Sequence, residues 1–206
     1  MIDYLLNLDR TVTVAINSAH SPFWDNVMLG LTHKWNLVPI YLLLLFYIIC
    51  RKQFMIRGAE YRNNWLVSFI IIGACFLAFG ITDQIGHCIF KPEIQRLRPG
   101  YDFYIWDLVS TPDGKGGLYG FVSNHAANIS GFTFVALLFI RRKFIFIMLS
   151  IVALGVCYSR IYLARHFAGD VVCGMAFGAL AGWLAFLFGS VMIKFLSSKN
   201  LVTKIQ

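Results

Sequence analysis

The sequence predicts an all-α integral membrane protein: five transmembrane helices in a bundle plus an N-terminal amphipathic helix in the membrane interface. Three observations predict it. The composition is that of a bilayer protein, with 58% of the 206 residues hydrophobic, only 14% charged and a mean hydropathy of +0.68. A soluble domain of this size carries shorter and less apolar helices. The apolar residues fall in long runs, as a hydrocarbon core requires. The basic residues are sorted onto alternate loops, as they are in proteins that thread back and forth across a membrane.

Residues 1–20 form the interfacial element. Leu5, Leu8, Val12, Ala15 and Ile16 recur at helical spacing, with Asp9, Arg10 and Asn17 between them. The segment is too polar to span and long enough to lie on the bilayer. Its acidic residues stand where a signal peptide carries basic ones, so no cleaved signal is expected. The first span centres on "WNLVPIYLLLLFYIIC" and extends upstream through "VMLGL". The second runs from Trp65 to about Ile85, the third from Asn124 to Ile140, the fourth from Phe144 to Tyr158, and the fifth from Val171 to Ile193. Residues 91–123, with "TPDGKGG", read as a long loop. There is no internal repeat and no linker, so residues 1–206 are expected to form a single domain. The five cysteines lie mostly in apolar runs, with no metal-site or disulfide spacing, and read as small buried hydrophobes.

Charge sets the orientation. Arg51, Lys52, Arg57, Arg62, Arg141, Arg142, Lys143, Lys194, Lys199 and Lys204 fall on one side, with Glu60 as the only acid. That side is expected to be cytoplasmic. The net charge of +8, which in a soluble protein would suggest nucleic acid, is explained by these loops, and no nucleic-acid partner is expected. The loop of residues 91–123 then faces out of the cytoplasm.

The outer face gathers the remaining chemistry. "KPEIQRLRPG" supplies Lys91, Arg96 and Arg98; "GFVSNHAANISG" supplies Ser123, Asn124 and His125; "SRIYLARHFAGD" supplies Arg160, Arg165, His166 and Asp170. Guanidinium forks and a lysine suit phosphate oxygens. The start of a helix at Ser123–Asn124–His125 offers free N–H groups to an anion. Histidine can attack phosphorus or protonate a leaving oxygen. Asp170 lies four residues after His166, which on a helix puts both on one face, where the carboxylate can hold the ring. Gly174, Gly178 and Gly182 continue that face, and small residues at this spacing admit a neighbouring helix. Arg10, Arg96 and Arg165 read instead as headgroup anchors, His20 and His33 as interfacial or solvated, and Asp83 and His87 as engaged in local hydrogen bonds, with a supporting place facing the site as the alternative. Tyr101, Phe103, Tyr104 and Trp106 fit either a cover over a lipid substrate or an interfacial aromatic belt.

These residues resemble the type 2 phosphatidic acid phosphatase superfamily, in its bacterial membrane-integral branch. That family has three motifs. Lys, six residues, then Arg-Pro is matched by Lys91 to Arg98-Pro99. Pro-Ser-Gly-His is matched at Ser123 and His125, with Val122 and Asn124 replacing the Pro and Gly. Ser-Arg, five residues, His, three residues, Asp is matched by Ser159-Arg160, His166 and Asp170. The resemblance implies that His166 attacks phosphorus to form a phosphohistidine, Asp170 orients it and His125 protonates the leaving alcohol. Lys91, Arg98, Arg160 and the Ser123–Asn124 turn bind the phosphate. It implies no metal and no other cofactor.

The expected function is hydrolysis of a membrane lipid phosphate or diphosphate at the extracytoplasmic face of a bacterial inner membrane. Undecaprenyl diphosphate, phosphatidylglycerophosphate, phosphatidic acid and lipid A phosphates are the candidates, and the sequence leaves the oligomeric state open. A transporter or binding protein for phosphorylated lipids is the alternative. It would need charge along a path through the membrane, whereas the span centres here are almost uncharged. A catalytically lapsed relative is disfavoured because all six principal charged or imidazole groups remain.

Overall fold

A computed structural model describes residues 2–205. Helix α1 (Ile2–Asn17) is followed by α2 (Pro22–Thr32) and α3 (Lys34–Cys50). Ser21 caps α2 by accepting from the Trp24 N–H at 3.4 Å. The expected first span is therefore broken. His33 takes an extended conformation between α2 and α3, and the two helices bend by 46°. The Asn36 side chain donates to the Gly30 carbonyl at 2.9 Å, serving an acceptor near the break.

Helix α4 (Trp65–Ile85) is capped by Asn64, which accepts from the Val67 N–H at 3.0 Å. It does not stop where expected. A π turn (Gly86–Phe90) and the short helix α5 (Lys91–Ile94) prolong it, giving a continuous apolar stretch Trp65–Ile94 of 30 residues. Pro92 looks like a breaker in sequence. Here the wide turn directly precedes it, where the missing proline N–H leaves the backbone ladder free to loosen. The loop begins instead at Gln95, whose φ of 49° is left-handed. Lys91 thus sits on a helix, not in the loop.

Helices α6 (Asn124–Ile140), α7 (Lys143–Tyr162) and α8 (Ala168–Ser198) complete the bundle. The last two outrun their expected apolar limits at both ends. Trp65–Ile94, Lys143–Tyr162 and Ala168–Ser198 are long and apolar enough to cross a bilayer, and the bent α2–α3 pair also qualifies when taken together. Helix α6 is apolar and 17 residues long. Large side chains such as Phe69, Phe76 and Phe188 point outward from the bundle, as expected where the surroundings are hydrocarbon.

The most extensive helix contact is α6 on α8. The glycine stripe makes it. A Cβ at Gly174 would lie 2.7 Å from the Ser123 carbonyl oxygen, and one at Gly182 2.7 Å from that of Gly131. Gly178 meets the Ala127 carbonyl still more closely. Backbones can approach this far only without side chains between them.

Residues 53–62 form a feature the sequence reading missed. β1 (Gln53–Ile56) and β2 (Ala59–Arg62) pair as an antiparallel hairpin, and β3 (Lys204–Ile205) adds to β2. The two-residue turn has Arg57 at φ 48° and Gly58 at φ 83°, the double left-handed geometry that suits a tight hairpin. Phe54, Ile56, Tyr61 and Val202 are buried beneath it. The sheet sits by the Ile140 end of α6, away from His125; Arg51 there donates to the Ile140 carbonyl.

Candidate active site

The site is built at the N-terminal end of α6. Ser123, fully buried, caps α6 by accepting from the Ala126 N–H at 3.4 Å, and its own N–H donates to the Asp170 carbonyl at 3.1 Å. These bonds tie the start of α6 to the start of α8. His125 follows in the first turn, exposed to the space between helices. Arg160, His166, Arg165 and Lys91 all lie within electrostatic range of it.

Each basic group is fixed by a different element. Lys91 stands on the helical extension of α4. Arg98 precedes the 3₁₀ turn Pro99–Tyr101 and is buried; its Nε donates to the Tyr119 carbonyl at 3.2 Å. Burial, and Arg165 nearby, push its guanidinium below the usual arginine range. Arg160 ends α7 and is 3% exposed, donating to the Thr32 hydroxyl of α2 while its Nε has no partner.

His166 is 2% exposed. Burial, followed by the charges of Arg160, Arg98 and Lys91, holds its imidazole well below the usual histidine range. It is therefore a neutral base. It does not share a helix with Asp170 as the spacing suggested: α8 starts at Ala168, and His166 lies just before the Phe167 N-cap. Its Nδ1 stands 3.8 Å from Asp170 Oδ2, and no hydrogen bond of normal geometry reaches it.

Asp170 is engaged elsewhere. Oδ2 accepts from the Phe167 N–H at 3.1 Å, capping α8, and Oδ1 pairs with Arg96 Nη1 at 2.7 Å. Arg96 is thus a site-adjacent residue and not a headgroup anchor. Its second nitrogen pairs with Asp9 of α1 at 2.6 Å, and the guanidinium lies 4.3 Å over the Phe167 ring. Arg165 and Arg10 likewise leave the anchor role, pairing with Asp113 at 3.2 Å and Asp102 at 3.1 Å. Both hold the loop, which closes on itself through the Leu97–Tyr119 bridge and the Arg98 N–H to Leu118 carbonyl bond of 3.1 Å. Phe103, Tyr104 and Trp106 are exposed.

Asn124, expected at the phosphate, turns its side chain the other way. Its amide reaches Asp83 Oδ1 at 3.3 Å, as does Asn128 at 3.2 Å, and Thr82 donates to Asn128 at 2.7 Å. Asp83 therefore bonds across to α6, not locally, and only the Asn124 backbone remains beside the α6 terminus. Below His125 lies a cavity of about 310 Å³, walled by Leu37, Tyr41, Phe79 and Ile129 with Asp83 and Asn128 at one side. Among the described residues, no group of three or more His, Cys, Asp or Glu is placed to hold a metal ion.

Gly120 was also missed. A Cβ there would lie 3.1 Å from both Arg98 Cγ and Asp170 Oδ2 and 3.6 Å from His166 Nδ1. A side chain here would press on the arginine and the His–Asp pair, and Asp170 has little room to yield because both its oxygens are tied. Gly120→Ala is expected to cost about 1–3 kcal/mol, read as a lower melting temperature in detergent. An unchanged melting temperature would show that the loop yields freely.

Comparison with known proteins places this arrangement. The sequence model of the PAP2 superfamily matches residues 73–191. The chain is 33% identical over 186 residues to the lipid A 4'-phosphatase of Bacteroides thetaiotaomicron, covering 89% of this chain and 78% of that protein. It is 32% identical to the lipid A 4'-phosphatase of Porphyromonas gingivalis, covering 88% and 72%. Its fold resembles the crystal structure of a PAP2-type phosphatidylglycerolphosphate phosphatase from Bacillus subtilis, with a TM-score of 0.64, 23% identity and coverage of 90% and 86%.

Proposed function

The chain belongs to the PAP2 superfamily, and on that premise we propose that it is a lipid phosphatase working through a phosphohistidine at the extracytoplasmic face of a bacterial inner membrane. The observation that carries this is the convergence of Lys91, Arg98 and Arg160 on a neutral, buried His166 beside the α6 N-terminus. We read α6 as a fifth crossing and α1 as lying in the interface. The basic hairpin end then faces the cytoplasm.

In this reading the three cations and the α6 terminus receive the phosphate and stabilise the charge that builds in the transition state. The free ring nitrogen of His166 attacks phosphorus. A P–N bond forms as the P–O bond to the lipid breaks, and His125 gives a proton to the departing oxygen. His125 then takes a proton from water, and the hydroxide displaces His166 to release inorganic phosphate. The cavity below His125 seats the departing group. Its apolar walls with one carboxylate and two amides suit a lipid-linked alcohol bearing hydroxyls, and the two lipid A 4'-phosphatase relatives favour a lipid A phosphate over the other candidates.

The test is phosphate release by the purified protein from a panel of lipid phosphates and diphosphates with EDTA present. Release from lipid A, resistance to EDTA and inhibition by vanadate are expected. Release that requires added metal, or that vanadate leaves untouched, counts against the reading.

A further inference from the structure

We propose that Arg96, held by Asp9 of α1, is a positioning residue that acts on His166 through Asp170. The proposal rests on the lipid phosphatase reading for its kinetic consequence, and on geometry alone for its structural one.

Asp170 is fully buried. An ionised carboxylate in such a place needs a countercharge and a full set of donors. Arg96 supplies the charge at 2.7 Å and the Phe167 N–H supplies a donor at 3.1 Å. The guanidinium is itself fixed three times: by Asp170, by Asp9 at 2.6 Å and by the face of Phe167 at 4.3 Å. Only arginine presents separate nitrogens in a rigid plane to two carboxylates at once.

Asp9 does more than anchor Arg96. Its Oδ1 accepts from the Gly169 N–H at 2.8 Å, and Thr13, one turn further along α1, accepts from the Ala168 N–H at 3.2 Å. With Asp170 serving Phe167, three N–H groups at the start of α8 are capped, two of them from another helix. A Cβ at Gly169 would strike Asp9 at 2.8 Å, so the approach is close by construction. The segment after His166 is therefore locked on one side by α1 and on the other by Arg96. The polar face of α1, Asp9, Thr13 and Asn17, points into the catalytic hairpin, while Leu5, Leu8 and Val12 are exposed. The helix that lies on the membrane is thereby part of the wall of the site.

Arg96→Gln removes the cation and leaves the helices' apolar packing intact. It is expected to lower kcat about 10- to 100-fold, as a small misplacement of a reacting group does, with KM held within about twofold. Arg96→Lys should recover only part of the loss. Asp9→Asn should lower kcat in the same direction, and the double variant Asp9→Asn, Arg96→Gln should be no worse than Arg96→Gln, because both act through one chain. The ring resonances of His166, assigned in ¹⁵N-histidine protein by their loss in His166→Gln, should shift in Arg96→Gln. Unchanged kcat together with unshifted His166 resonances overturns the proposal. So does a fall in kcat matched by a lowered melting temperature with His166 unshifted, which marks a structural role only. A wild-type protein that releases no phosphate, yet whose His166 resonances move in Arg96→Gln, upholds the positioning and sinks the phosphatase reading.

Discussion

Replacing His166 with alanine is expected to lower phosphate release by at least about 10³-fold, because in the proposed mechanism it alone carries the covalent step. His125 is the one other imidazole at the site, and it stands on α6, across from the hairpin that holds His166. The fold should tolerate the change, since Nδ1 of His166 makes no normal hydrogen bond that would be orphaned. The surroundings of His166 suit the proposed nucleophile. Burial and three nearby cations oppose its protonation, so at neutral pH the ring is a free base, and in the proposed mechanism those same cations draw in the phosphate. Rapid quenching with a labelled lipid phosphate should trap phosphate on the wild-type chain and none on His166→Ala. Full activity in His166→Ala would remove the mechanism.

Gly178→Val should be the most destabilising single change, at about 3 kcal/mol, the upper end of overpacking costs. A side chain there meets the Ala127 carbonyl and also the Gly131 N at 2.9 Å. These are backbone atoms, so no rotamer change relieves the collision, and α6 must move off α8. Because Ser123 and Asp170 are joined across that same pair, activity should fall with stability. Gly73→Val on α4 is the matched control, as a Cβ there has nothing within 4 Å. Equal melting temperatures for the two variants would contradict the close packing of α6 on α8.

Much of the site could be read from the chain because it lies in short, spaced motifs. Lys91, Arg98 and Arg160, taken from two motifs, come within electrostatic range of His166, and α6 begins at Asn124 as the apolar run suggested. What escaped reading depends on long-range pairing. Arg96 looks like one more interfacial arginine until the fold brings Asp170, 74 residues away, and Asp9, 87 residues away, to its two sides. Pro92 disguised the helical seat of Lys91, because a π turn that absorbs a proline leaves no compositional mark. The β1–β2 hairpin was hidden in a basic loop whose charges had already been accounted for by topology. Asn124 carries a second such pairing: its backbone stays at the α6 terminus, while its side-chain amide reaches Asp83, 41 residues away on a neighbouring helix.

The capping of α8 by α1 has a consequence for how the chain acquires its site. Asp9 and Gly169 are 160 residues apart, and Thr13 and Ala168 155, so these contacts span most of the polypeptide. Loops of that length close late, after local helices have formed and paired. Helix α1 can dock on α7 and on the loop through Asn17 and Arg10, but its Asp9 and Thr13 acceptors gain the N–H groups they cap only when α8 is in place. His166 is consequently held in its final place by a late long-range closure, and a chain halted before α8 carries Lys91, Arg98, Arg160 and His166 without Asp170, the residue that ties the hairpin to Arg96 and to the start of α6.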